Sequence, residues 1–395
     1  MGTNCTDQQD EIKSPLSVRV GILKAPHIDY ELREHTFLLK NVRIGIGFHW
    51  DRREDQEFMG KLEIKNIPNP ILKGGKEWQM AVNTIDLEDY LCSVISSEMN
   101  ADSPMELLKA HAVISRSWAI RQIVNSKSSN RKLHEGFDLC ADDHCQRYEG
   151  IRRMNERAVE AVRATAGQVL TFPSFVHRTS SLRTSVCDCR YHKCCGGRTE
   201  VWRTCWEDMD VPYIQSVECP YCNPAYFNHL PLRGGREGLS FLNDYDRETR
   251  DFHDWQVTYS AEEFGDIIRT KSGIDFGEIV DLIPLKRGAS GRIYELKIVG
   301  TKHTEIIGKE LKIRQWLSRT CLYSSWFDIE KNTPSPLGEG REGASLWVLT
   351  GHGWGHGAGL CQIGAAVMAA EGHSYEEILT YYYPGTTLKA QMVNE

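Results

Sequence analysis

One glutamate in this chain stands where a helix would ordinarily carry an aliphatic side chain. Leu87, Leu91, Val94 and Ile95 recur at helical spacing and predict one buried face, with Asp86 as its N-cap. The next place on the stripe through Leu87, Leu91 and Val94 is Glu98. A carboxyl held there is partly desolvated, and loss of water favours its protonated form. That is the state a general acid needs near neutral pH. The spacing by itself also fits a helix-end glutamate in water, the commoner case, and both readings stay open at this point.

Metal-ligand chemistry is the second possibility. His134, Cys140, His144 and Cys145, in LHEGFDLCADDHCQ, offer two imidazoles and two thiolates, the usual ligands of a closed tetrahedral zinc site. Four protein ligands leave no position for a water, so a zinc here would be structural. The adjacent His144 and Cys145 converge only on a sharply bent backbone; the competing reading is separate surface histidines and free thiols. A further group, Cys187, Cys189, Cys194, Cys195, Cys205, Cys219 and Cys222 with His192, contains one CxxC, Cys219-Pro-Tyr-Cys222. Its spacings match no common finger, which favours free or redox-labile thiols over a second metal site.

The third grouping is Gly351 to Gly359, GHGWGHGAG, with glycine on alternate positions. Such a backbone can approach a ligand closely or hold positive φ. His352 and His356 could be metal ligands, proton carriers or sugar contacts, and Trp354 could stack on a sugar face. Gln362 is grouped with them as a substrate contact. No Gly-Lys-Ser/Thr follows, which excludes a Walker loop. The structural alternative is a tight loop packed under the site. His111 reads first as a satisfied core histidine, and Arg116 either as half of an ion pair or as a contact to an anionic substrate.

The elements that must position these residues point to an α+β fold. After Glu98, Ser103-Pro104-Met105-Glu106 predicts an N-cap, a proline at the first helical position and a capping box. A second helix should run to about Ile123, making an αα-hairpin with Glu98 at its bend. Strands are expected at Ser17–Leu23, Thr36–Trp50 and Phe58–Ile64, before the hairpin. A helix is expected at Met154–Ala166, with a strand at Gln168–Phe172. Residues 254–331 form a strand-rich inserted subdomain, with strands at Gln256–Tyr259, Arg292–Val299 and Ile306–Ile313. The remaining divisions are a disordered tail over 1–14, a core made of 15–253 and 344–395, and a linker over 332–343. Helices from Gln362 to Gly372 and from Ser374 to Tyr383 close the chain.

Composition limits the function classes. A chain of 395 residues with 41% hydrophobic and 26% charged residues describes an ordinary soluble globular protein. A net charge of −7 argues against a nucleic-acid binder. No apolar run approaches the roughly 20 residues needed to span a bilayer, so no transmembrane segment is expected. The opening MGTNCTDQQDEIKSPL shows no basic and then apolar leader, so the expectation is a cytosolic protein or one already relieved of its export signal. Thirteen cysteines, an odd number clustered with histidines, suggest metal binding before disulfides.

Together these motifs resemble the SpoIID/LytB family of cell-wall proteins. The likeness is carried by LEDYLCSVISSEM, then ELLKAHAVISRSWAI, and by GHGWGHGAGLCQIGAAVMAAEGHSYEEILTYYYPGTTL, and it extends from about Val18 to Leu388. Cys194-Cys195-Gly-Gly-Arg-Thr-Glu200, followed by Trp202 and Pro212-Tyr213, is similar to the family's small-residue Gly-Gly-Thr-Glu segment. The resemblance implies a SpoIID-like core with Glu98 as the catalytic glutamate. It implies a structural Zn(2+) on His134, Cys140, His144 and Cys145, and peptidoglycan glycan strands stripped of stem peptides as substrate. The implied reaction is lytic transglycosylation at the MurNAc–GlcNAc bond, leaving 1,6-anhydro ends. Some relatives are amidase enhancers, so a non-catalytic wall-binding partner of a cell-wall amidase is the alternative. A zinc hydrolase would need one metal ligand fewer. The resemblance also implies an extracytoplasmic location. The chain departs from the family pattern at His111, where many members carry Gln, and at Asn100, where many carry Pro.

Overall fold

The computed structural model describes residues 16–48, 50–69, 75–127, 134–175, 182–227, 253–332 and 345–390. The tail expected at 1–14 and all but the first residue of the linker expected at 332–343 lie outside the described residues. The chain begins in β structure, with β1 (Ser17–Ala25), β2 (Tyr30–Leu32), β3 (Thr36–Ile44), β4 (Arg52–Met59), β5 (Lys61–Ile67) and β6 (Trp78–Asp86). The alternation in β1 sends Val18 and Val20 into the core, as period-2 patterning requires. The expected strand at Phe58–Ile64 is instead broken at Gly60, with φ of +90°, into the end of β4, which pairs with β3, and the start of β5, which pairs with β6 in a separate sheet.

β6 runs directly into α1 (Leu87–Glu98), and the Asp86 carboxylate accepts from the Glu88 backbone N–H at its start. α2 (Met105–Lys127) follows after six residues. Leu107, Leu108, Ala112, Val113, Trp118 and Ala119 are buried along it. The next elements are β7 (Leu139–Cys140), α3 (Glu156–Ala164), β8 (Gln168–Phe175), β9 (Leu182–Val186) and β10 (Tyr191–His192). Two short helices, α4 (Trp202–Cys205) and α5 (Pro224–Phe227), flank a 3-10 turn at Pro220–Cys222. One sheet has the order β5-β6-β1-β7, and the α1–α2 pair packs with it in a core that also takes in α3 and the C-terminal helices.

A second hydrophobic cluster is built from β11 (Asp254–Ser260), α6 (Ala261–Ser272), β12 (Ile279–Arg287), β13 (Ile293–Gly300), β14 (Thr304–Ile307), α7 (Glu310–Trp316), β15 (Phe327–Asn332) and β16 (Leu346–His352). The strand expected at Ile306–Ile313 splits here. Its second half is α7, which turns Ile313 into the cluster. β16, which the sequence reading placed with the core, pairs with both β11 and β15 and buries Trp347 and Leu349 in this second cluster. The chain then returns to the first core through β17 (Leu360–Cys361), α8 (Gln362–Ala370), α9 (Tyr375–Tyr382) and β18 (Thr387–Ala390).

Arg116 is a clamp inside the first core and not a substrate contact. Its guanidinium is fully buried, makes two 2.7 Å bonds to the Glu88 carboxylate, and donates to the carbonyls of Gln168 and Val162. This ties α1, α2 and the α3–β8 corner together. Removing one partner of such a pair leaves a buried charge uncompensated. Glu88→Ala should lower stability by about 2 kcal/mol, a value reduced because the glutamate side is partly exposed, and a urea midpoint would measure it.

Candidate functional site

Glu98 is the last residue of α1 and is half-buried, with the rest of the helix's final turn enclosed. Two donors meet its Oε1: the backbone N–H of Arg147 at 3.1 Å and the Tyr191 hydroxyl at 3.0 Å. Loss of water is the largest influence on its carboxyl and raises its pKa above the ordinary glutamate value. The Arg147 guanidinium and the two donors oppose that shift without cancelling it, while the Asp143 charge adds to it. Asp143 is itself occupied, by the Arg147 guanidinium at 3.1 Å and the Trp50 indole N–H at 3.1 Å. The arrangement suits one carboxyl that gives up a proton and takes one back.

Tyr191 connects this carboxyl to the C-terminal motif. Its ring meets the His111 ring edge-on at 4.4 Å, and the His111 Nε2 lies 3.1 Å from the Gln362 amide nitrogen. An amide N–H can only donate there, so Nε2 is the acceptor and Nδ1 carries the proton toward Ser115 Oγ at 3.2 Å. Burial, aided by the Lys193 charge, pushes the His111 imidazole down to about 3, so it stays neutral at working pH. His111 is therefore a core histidine, as its position in α2 suggested, but one that braces the site. Gln362 is nearly enclosed and reaches His111 from the first residue of α8.

His134, Cys140, His144 and Cys145 come together, with one donor atom from each within 4.8 Å of all the others. The sharp bend that adjacent His144 and Cys145 require is present, closed by the Cys145 N–H on the Asp142 carbonyl at 2.9 Å. Two nitrogens and two sulfurs so placed could hold a metal ion, and their chemistry fits a tetrahedral one. Cys140 sits in β7, which is paired in parallel with β1 at Gly21. The stretch just after Cys145 serves Glu98. The Tyr90 hydroxyl bonds Gln146, Arg147 donates to Glu98, and the Glu149 N–H donates to Ser97 Oγ at 3.3 Å.

The glycine loop is a packed floor. At Gly359, φ is +74° and a Cβ would lie 2.0 Å from the Arg190 carbonyl; at Gly353 it would lie 2.8 Å from the Cys194 carbonyl. No other residue fits either place. Trp354 is only 7% exposed, with Tyr323 edge-on at 4.9 Å and Trp50 tilted at 6.4 Å, so its faces are largely taken. His356 turns inward against Trp206 and His192, and burial holds its imidazole well below the usual range. His352 pairs with Asp254 at 2.5 Å in the β11–β16 ladder and lies against Trp326. Gln362, of the residues expected to bind substrate, reaches Glu98 through its hydrogen bond to His111, the ring contact of His111 with Tyr191, and the Tyr191 hydroxyl.

The sequence reading missed Tyr191 and Arg147. Tyr191 lies between charged and cysteine residues in a segment without periodicity, and Arg147 acts through its backbone. It also missed Trp50 as the aromatic beside the site. Trp50 stacks on Phe48 at 4.7 Å, with the Arg147 guanidinium 5.3 Å from its ring centre. A strand had been expected to continue through it, but β3 ends at Ile44.

Comparison with known proteins places this geometry in context. The family described as "Stage II sporulation protein" (SpoIID) matches residues 76–172, and "Domain of unknown function (DUF8618)" matches residues 200–359. An uncharacterised protein of Brachyspira hyodysenteriae is 28% identical over 96% of this chain and 91% of its own length. "Stage II sporulation protein D" of Bacillus subtilis is 25% identical over 78% of this chain and 76% of its own length. "Amidase enhancer" of the same organism is 27% identical over 75% of this chain and 40% of its own length.

The raised carboxyl has a consequence for stability. A group that binds its proton more tightly when folded stabilises below the unfolded value, about 4.3 for glutamate, and loses that contribution as pH rises through the folded value. Gln at 98 keeps an Oε1 acceptor for both donors and has no charge to desolvate. Glu98→Gln should therefore melt at the same or a higher temperature than wild type at pH 8, with the gap closing toward pH 4. A lower melting temperature at pH 8 would contradict the placement of this carboxyl.

Proposed function

The chain belongs to the SpoIID/LytB family, and from that premise we propose that it is a lytic transglycosylase. Its substrate is the MurNAc–GlcNAc bond of peptidoglycan glycan strands, best when stripped of stem peptides. The observation that carries this reading is a single carboxyl, Glu98, raised by desolvation and met by two donors on one oxygen.

Hydrolytic glycosidases use two carboxylates, one as acid and one as base or nucleophile. The nearby Asp143 is committed to Arg147 and Trp50, which leaves Glu98 to serve twice. Protonated Glu98 gives its proton to the glycosidic oxygen, and the C1–O bond breaks to release the GlcNAc 4-hydroxyl. The resulting carboxylate takes the proton of the MurNAc C6 hydroxyl, whose oxygen closes onto C1 as the 1,6-anhydro ring. The nucleophile arrives already attached to the substrate, so no water needs to be positioned. Tyr191 and the Arg147 N–H stabilise the carboxylate between the two steps, as charge-assisted bonds do. Phe48, partly exposed and stacked on Trp50 beside Arg147, is the aromatic surface proposed for the sugar in place of Trp354.

Zinc is the ion proposed for His134, Cys140, His144 and Cys145. It would cross-link the 134–145 loop and so set the Arg147 N–H, with four protein donors leaving no place for a reacting water. The same reading places the protein on the wall side of a membrane. Among the described residues no helix is long and apolar enough to cross one. The likeness to an amidase enhancer supports a second reading, in which the chain binds glycan or an amidase without cutting.

Mass spectrometry of products from peptide-free strands separates these readings. Wild type should release anhydro-ended fragments, and Glu98→Gln should bind strands but lose that product by at least a hundredfold. Intact strands from the wild type would leave only the binding role. The pH profile gives an independent check. Tyr191→Phe removes a donor to the carboxylate, so the Glu98 pKa rises and the alkaline limb of activity moves to higher pH; a shift to lower pH would be inconsistent with the contact.

A further inference from the structure

The cysteine-rich segment and the chain just after the glycine motif meet at a second cluster that the catalytic reading does not use. Cys195, Cys219, Cys222 and Cys361 each direct a sulfur into one buried space, with all four sulfurs within 4.8 Å of one another. Cys195 and Cys222 are 3.3 Å apart. None of the four is more than 1% exposed. We infer that these four cysteines form a tetrathiolate site for a single zinc ion, separate from the His134 group.

Three observations beyond proximity favour a metal over a sulfur-rich patch of core. The first is the supply of donors. Cys361 Sγ accepts from the backbone N–H of Cys195 at 3.3 Å and of Gly364 at 3.4 Å. Cys219 Sγ lies 3.2 Å from the Tyr382 hydroxyl. Donors aimed at sulfur stabilise thiolates and are the usual outer shell of a metal–thiolate centre. The second is the space left at Gly364. A Cβ there would stand 2.6 Å from Cys219 Sγ and 2.3 Å from the Tyr382 hydroxyl, so α8 can approach the sulfurs only with glycine at that place. The third is size. Zinc–sulfur bonds of about 2.3 Å in a tetrahedron set the sulfurs about 3.8 Å apart, a spacing that falls between the 3.3 Å of Cys195–Cys222 and the 4.8 Å that bounds the four. An iron–sulfur cubane is wider and would need its thiolates further apart.

The ligands come from separate elements. Cys195 follows β10, Cys219 and Cys222 bracket the Pro220–Cys222 turn, and Cys361 caps α8. An ion at their centre would join the cysteine-rich segment to the helix that begins with Gln362. It would do for that side of the site what the His134 group does for the other. The CxxC alone matched no common finger because its other two ligands lie 24 residues before Cys219 and 139 residues after Cys222.

Native mass spectrometry of the full chain with added zinc tests the inference, and catalytic activity is not its readout. Cys219→Ser/Cys361→Ser should bind one zinc fewer than wild type. His134→Ala/Cys145→Ser should keep that ion. After denaturation in chelator, all thirteen cysteines of the wild type should react with a thiol reagent. An unchanged zinc count in the double serine variant would overturn the inference, as would four fewer reactive thiols, which would mean two disulfides. If the serine variant does not fold, cobalt(II) added to the His134→Ala/Cys145→Ser protein decides. Strong near-ultraviolet thiolate charge-transfer bands support four sulfur ligands, and their absence rules the site out.

Discussion

A carboxyl taken out of water at the end of a buried helix must be given either a proton or donors. Much of this structure can be understood as the answer to that requirement at Glu98. The carboxyl keeps a raised pKa because desolvation outweighs what the Arg147 N–H, its guanidinium and the Tyr191 hydroxyl return. Both donors come from outside the helix pair, so the site exists only when three separate parts of the chain are in register. α1 supplies the carboxyl, the loop after Cys145 supplies the N–H, and β10 supplies the hydroxyl.

Each supplier is held by its own device. The loop is fixed by β7 on β1, and the four donors of the His134 group gather at its start. β10 is fixed by its parallel pairing with β17, where Tyr191 stands opposite Leu360 and His192 opposite Cys361. The second hydrophobic cluster is joined to this side through Glu200, whose carboxylate accepts from the backbone N–H groups of Ala289 and Ser290, and through Arg292, which donates to the Cys195 carbonyl at 3.1 Å. The long C-terminal motif thus functions as a scaffold. Its glycines admit the backbone of the cysteine-rich segment, His356 turns toward that packing, and His352 pairs with Asp254 of β11.

The parts of the site that depend on local pattern were legible in the sequence. The apolar stripe and the position of Glu98 on it follow from helical period and the Asp86 cap from residue type, and α1 and α2 form where the pattern put them, but spacing alone left open whether Glu98 faced water. The clustering of His134, Cys140, His144 and Cys145 followed from ligand type. What depended on distant pairing was not legible. Tyr191 has no periodic neighbours to mark it, and Cys361 is concealed in a glycine motif that looks like a loop. Arg116, open in the sequence between an ion pair and a substrate contact and grouped with the substrate residues, is decided for the ion pair only by Glu88, 28 residues away. Some signals were present and were not read. Ser260 and Gly273 are ordinary start and stop residues for α6, which lies in a region read only as strands.

The most direct test of the account is the titration of Glu98 itself, followed by carbon NMR of glutamate-labelled protein and assigned by its loss in Glu98→Gln. The account predicts a carboxyl that titrates above the ordinary glutamate value of about 4.3 and moves higher still in Tyr191→Phe. A Glu98 that titrates at or below that value would contradict it, because the helix end would then be an ordinary solvated one.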